Sequence, residues 1–70
     1  MRRTLVSSSM IASVGYDPRK KILEIEFVSG SIYQYLDVDP RTFKEFVGAP
    51  SKGTFFNAHI KHEYSHVRIA

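Results

Sequence analysis

The chain has no cysteine. Disulfides and thiolate metal sites are therefore excluded, and a reducing compartment fits. It also has no long apolar run. The Met1-Arg2-Arg3 start resembles the charged end of a signal peptide, but Ser7, Ser8 and Ser9 interrupt any apolar region behind it. No stretch reaches the roughly 20 apolar residues that cross a bilayer, so the expected location is the cytoplasm and no membrane partner is expected. No Gly-rich phosphate loop, internal repeat or low-complexity tract is present.

Seventy residues allow one small domain. Apolar residues are 43% and aromatics 13% of the chain, enough for a folded globule. Such a core holds one helical layer on one sheet, with no room for a deep enclosed active site. The expectation is a non-enzymatic protein without a cofactor. Ten Lys and Arg face seven Asp and Glu, a net charge of +3, which permits an anionic partner without demanding one.

Residues 1–8 read as a flexible N-terminal arm, 9–66 as a single domain and 67–70 as a C-terminal tail. Met10 to Tyr16 reads as a first strand, with Ala12, Val14 and Tyr16 on one face. Asp17-Pro18 opens a type I turn. Ile22 to Val28 is a half-buried antiparallel strand, because Leu23, Ile25 and Phe27 alternate with Glu24 and Glu26. A four-residue loop at 18–21 pairs Tyr16 with Leu23, Val14 with Ile25 and Ala12 with Phe27.

Ser29-Gly30 leads to a third strand, Ser31 to Val38. A two-residue turn would set Tyr33 and Tyr35 against Glu26 and Glu24, on the outer face. A three-residue loop with Gly30 in a left-handed bulge sets them against Ile25 and Leu23, on the core face. One residue of register moves every side chain to the other face. Ser-Gly lacks the Asn or Asp of a type I′ turn, and the bulged register keeps Gln34 away from Ile25, so it is the better fit. Ile22, Val28, Ile32, Leu36 and Val38 would then form a bare apolar face.

Asp39-Pro40 is a helix start, with Asp as N-cap and Pro at the first helical position. Phe43, Phe46 and Val47 give that helix an apolar stripe, and Gly48-Ala49-Pro50 ends it. Ser51 caps a second helix running to about Ser65, with Phe56, Ile60 and Tyr64 in line. The fold class is α+β: a three-stranded antiparallel meander followed by two helices packed on one face.

Several clusters invite chemistry. Tyr33 and Tyr35 are a stacking platform if wet and core residues if dry. Arg19, Lys20 and Lys21 form a basic turn. Ser51, Lys52 and Gly53 open the second helix, where free N–H groups suit a phosphate and an ordinary cap is the plainer alternative. Lys61 lies on that helix. His62-Glu63-Tyr64-Ser65-His66 matches the HExxH zinc pattern, with His59 nearby. Only four residues follow it, however, and solvated histidines at a helix C-terminus explain it as well. Asn57 reads as a tie to the preceding loop, and Glu24 with Glu26 as a solvated face.

The ordered set Ser9-x-Ile11-x-x-Val14-Gly15-Tyr16-Asp17, Leu23-x-Ile25-x-Phe27-x-x-Gly30-x-x-Tyr33-x-Tyr35-x-x-Val38 and Ser51-x-Gly53-x-x-Phe56-Asn57-x-x-Ile60-x-x-x-Tyr64 resembles the KTSC domain. This short domain occurs at the C-terminus of some lysyl-tRNA synthetases and as stand-alone bacterial or phage proteins. Its YxY hallmark maps to Tyr33 and Tyr35. The resemblance implies a domain of uncharacterised function, with RNA binding suggested by the synthetase association. In a non-enzymatic RNA-binding module, the candidate contacts read from the residues are Arg19, Lys20, Lys21, Tyr33, Tyr35, Ser51, Lys52, Gly53 and Lys61. The alternative is a protein-interaction or homodimerisation module, using the bare sheet face or the third-strand edge.

Overall fold

The computed structural model describes residues 1–70. Its elements are β1 (Thr4–Leu5), β2 (Ile11–Asp17), β3 (Ile22–Phe27), β4 (Ile32–Tyr35), α1 (Pro40–Gly48), the short α2 (Lys52–Phe55) with a π-helical segment behind it (Phe56–Ile60), and β5 (His66–Arg68). The five strands form one antiparallel sheet in the order β1-β2-β3-β4-β5. The α+β class and the central meander are as expected. The three-strand count is corrected to five, because both ends of the chain add an edge strand. Residues 1–8, read as an arm, contain β1, and the stretch read as a tail begins inside β5.

The Ser29-Gly30 turn adopts the bulged register. Gly30 has φ +100°, and the Phe27 N–H donates to the Ser31 carbonyl at 2.9 Å. Leu23 consequently faces Tyr35, and Ile25 faces Tyr33. On the first hairpin, Tyr16 meets Leu23 and Val14 meets Ile25 as read, but Ile11, not Ala12, lies opposite Phe27. A bulge between Ile11 and Ser13 absorbs the extra residue. It turns Ile11 into the core, where none of its surface is exposed.

The helices pack on the face carrying Val14, Leu23, Ile25 and Tyr35, with Phe46, Phe56 and Ile60 as the main buried contributions. Asp39 caps α1 by accepting the Thr42 N–H at 3.0 Å, and Pro40 occupies its first turn. Beyond Ser51 the expected helix is shorter than read. It widens at Phe56, where the Lys61 N–H reaches back five residues to the Phe56 carbonyl at 2.9 Å. Such π-turns are brief. This one buries both Phe56 and Ile60, and the chain then turns and enters β5.

The opposite sheet face is not the bare apolar surface expected. Val38 is fully buried in the core, and only Val28 of the five named residues is strongly exposed. Across the middle of that face lies a polar ladder. Arg3 binds Glu24, and its Nε donates to Ser13 Oγ at 3.0 Å. Ser13 donates to Glu26 at 2.8 Å, and Gln34 donates to Glu24 at 2.9 Å. Glu24, read as solvated, is only 4% exposed. Gly15 lets the incoming arm lie this close, since a Cβ there would stand 2.6 Å from the Arg2 carbonyl oxygen.

Candidate functional site

Two tyrosines separated by one residue on β4 point to the same side of the sheet, here towards the helices. Their fates differ. Tyr35 is 4% exposed and Tyr33 is half-buried. Tyr35 packs edge-on against Phe56 at 5.4 Å, and Tyr33 edge-on against Phe27 at 5.9 Å. The two phenol rings lie 6.4 Å apart and nearly parallel. β5 then brings in His66, whose ring is 5.6 Å from Tyr33 and 5.4 Å from Tyr35.

These rings form one wall of a groove of about 420 Å³ between β4, the end of β3 and the π-helical segment. Lys61, His62 and Asn57 project from the other side, and Ser29 and Ser31 stand at the end near the bulged turn. No carboxylate lines it. Burial, and secondarily Tyr33, pushes the Tyr35 phenol up to about 12, so at neutral pH it is an uncharged donor. The site therefore offers flat rings to stack on, hydroxyl and amide groups to hydrogen-bond, and cationic character from Lys61.

Of the nine residues read as candidates, the structure brings Tyr33, Tyr35 and Lys61 together. Arg19, Lys20 and Lys21 lie on the exposed β2–β3 turn. There the Arg19 and Lys20 N–H groups bond Asp17 at 3.0 and 3.2 Å, and the Lys21 carbonyl accepts the Val38 N–H at 2.9 Å. Lys20 borders a separate hollow with Ile22 and Gln34. Ser51 Oγ accepts the Thr54 N–H at 3.2 Å, Lys52 Nζ donates to the Ala49 carbonyl at 3.0 Å, and Gly53 packs on Met10. Lys52 borders a third cavity, beside the arm. The five cations thus do not share one surface.

The second helix read as running to about Ser65 is corrected, and with it the setting of the HExxH letters. His62 and Glu63 lie in a turn and His66 in β5, so the one-face helical spacing that zinc would need is absent. His59 instead stacks against Phe55 at 4.7 Å. No three His, Asp or Glu side chains gather as a ligating cluster. The third-strand edge is corrected as well, because β5 covers it through pairs Tyr33–Arg68 and Tyr35–His66. Ser29, Ser31 and the groove role of His66 escaped the sequence reading. The alternation His66-Val67-Arg68-Ile69 is the one signal that could have placed His66 on a strand.

The model of the KTSC domain matches residues 7–64. An uncharacterized protein of Stutzerimonas stutzeri is 41% identical over 64 residues, covering 91% of this chain and 90% of that protein. A lysine–tRNA ligase of Nostoc punctiforme is 37% identical over 62 residues, covering 89% of this chain but 11% of the ligase. The crystal structure of a KTSC domain protein from Yersinia pestis superposes with a TM-score of 0.96 at 45% identity, covering 99% of this chain and 97% of that one. No helix of the chain is long and apolar enough to cross a membrane.

Proposed function

The chain belongs to the KTSC domain family, and from that premise we propose that it is a small non-enzymatic module that binds single-stranded RNA in the β4–β5 groove. One observation carries this reading: the Tyr33–His66 ring pair lies beside Lys61 in a groove without carboxylates. Stacking on such rings tolerates any base, and a nearby cation takes the phosphate. The Tyr35 hydroxyl and the serines at the bulged turn add hydrogen bonds. The likeness to a segment of a lysine–tRNA ligase supports RNA as the partner class. The basic turn Arg19-Lys20-Lys21 and the Ser51-Lys52-Gly53 cap act as outlying phosphate contacts on a longer strand. We place this binding in the cytoplasm.

The test is fluorescence anisotropy with a short unstructured RNA at low and moderate salt. The wild-type protein binds at low salt and weakens as salt rises, by the counterion-release slope of a few phosphate contacts. Tyr33→Ala weakens it about tenfold, an effect on the scale of one lost stacking contact of about 1–3 kcal/mol. Absence of binding at low salt overturns the reading.

A second reading rests on β5. It is an open edge, and Val67 and Ile69 there are 47% and 48% exposed. A second copy could add its own strand to this edge. Sedimentation equilibrium decides it: a monomer at the highest soluble concentration removes the homodimer.

A further inference from the structure

The largest cavity of the molecule is not the groove. It lies between the N-terminal arm and α1 and holds about 720 Å³. Its floor is Tyr16 stacked on Phe43, ring centroids 4.5 Å apart and 8° from parallel. Val6, Val14 and Val47 continue the apolar lining. Leu5 and Val47 also border it while 82% and 36% exposed. Apolar side chains are thus left facing solvent around one hollow. Pockets of several hundred Å³ with an apolar body and a few placed polar groups are the usual form of a small-molecule site.

The charged groups here have one sign. Arg2 and Lys52 line the cavity, and no carboxylate does. Asp17 and Asp39 lie near Tyr16 and, after burial itself, help keep its phenol protonated, but neither borders the hollow. The Tyr16 hydroxyl is already engaged, donating to the Val38 carbonyl. The arm wall is fixed by the Arg3–Glu24 pair and by the pairing of Thr4 and Leu5 with Val14 and Ser13.

We propose that this cavity binds a small organic anion with an apolar body about one aromatic ring in size, the body on Tyr16, Phe43 and Val47 and the charge between Arg2 and Lys52. The cavity shares no lining residue with the β4–β5 groove; Lys52 is its one overlap with the outlying RNA contacts, so either site can stand without the other.

The probe is benzoate, titrated into ¹⁵N-labelled protein with benzyl alcohol as its neutral counterpart. Phenyl phosphate in a parallel series tells a carboxylate site from a phosphate site. The expected result is saturable amide shifts at Val14, Gly15 and Val47 with either anion, and at least tenfold weaker binding of the alcohol. Arg2→Ala/Lys52→Ala lowers affinity at least tenfold, while Lys44→Ala, which removes a charge from the exposed side of α1, leaves it unchanged. Val47→Glu, at a position already partly in solvent, places a negative charge in the hollow and abolishes binding with the fold intact by circular dichroism. The proposal is overturned by the absence of saturation, by equal affinity for the alcohol, or by shifts confined to Tyr33 and His66.

Discussion

The two faces of the sheet reach burial by different means. On the helix face, Leu23, Ile25, Phe46 and Ile60 are fully enclosed by apolar neighbours. On the other face the N-terminal arm lies over the strands, and what it covers is charged. Glu24 is as buried there as Val14 is in the core, both 4% exposed. Hydrophobic burial needs only area and tolerates approximate shape. A buried carboxylate needs its lone pairs answered, and Arg3 and Gln34 donate to Glu24, while Ser13 links Arg3 to the neighbouring Glu26. The helix face therefore supplies most of the stability. The polar face supplies position: it fixes where the arm lies, and with it one wall of the 720 Å³ cavity.

That contrast predicts graded damage. Phe46→Ala opens the centre of the helix face and should cost about 3–5 kcal/mol, read as a lower urea midpoint. Arg3→Ala strands Glu24 but leaves a site the solvent can partly reach, since the Arg3 side chain is 27% exposed; a loss of about 2 kcal/mol is expected. Adding Glu24→Gln to Arg3→Ala should restore part of it, because the unanswered charge is gone. A double variant no better than Arg3→Ala would show that the pair acts through packing alone.

The faces should also fail at opposite ends of the pH scale. Burial alone would raise the Glu24 pKa, but hydrogen bonds from Gln34 and Arg3 outweigh it and hold the carboxyl below its ordinary 4.5. Its contribution is then complete above 4.5 and is lost as pH falls through the depressed value. Melting curves should show this acid loss in the wild type and not in Glu24→Gln. Tyr35 titrates the other way, near 12; its stabilisation is present below the ordinary phenol value and lost as pH rises through 12. An ultraviolet titration should show a late phenol step that Tyr35→Phe removes. The smallest effect expected is at the rim of the helix face, where Asp39→Ala removes the α1 cap for about 1 kcal/mol in the same urea assay.

Local chemistry was legible and distant pairing was not. Asp39-Pro40 announces α1 because cap and first turn are adjacent in sequence. Gly30 announces the bulged register because the alternatives differ by one residue and oppose Gln34 to Ile25. Tyr33 and Tyr35 followed from that turn, whereas Lys61, read as a charge on the second helix, stands in the turn just past the π-helical segment. By contrast, Arg3 and Glu24 are far apart in the chain, and nothing in either residue names the other. The Ala12 bulge depends on which of two small residues the sheet can expel, a tertiary decision. The HExxH letters fit a helix by spacing, but the π-turn at Phe56 and the return into β5 override local propensity. His66 consequently left an expected helix and became a wall of the groove.

The sheet is sequential in order, yet its contacts are not equally local. β2, β3 and β4 join through short turns and can zip as neighbouring hairpins. β5 reaches β4 only after both helical segments have been laid down, so its closing loop is by far the longest in the sheet. Loop-closure entropy and non-local pairing both delay such a strand. β4 holds β5 at both ends, the Leu36 N–H donating to the Ser65 carbonyl and the Ile69 N–H to the Ile32 carbonyl, each at 2.8 Å; with no strand on its other side, its amides should exchange with solvent ahead of those in β3. Whatever occupies the groove beside His66 would then hold closed the last-formed seam of the fold, and ligand binding would be felt as slower opening of the chain's end.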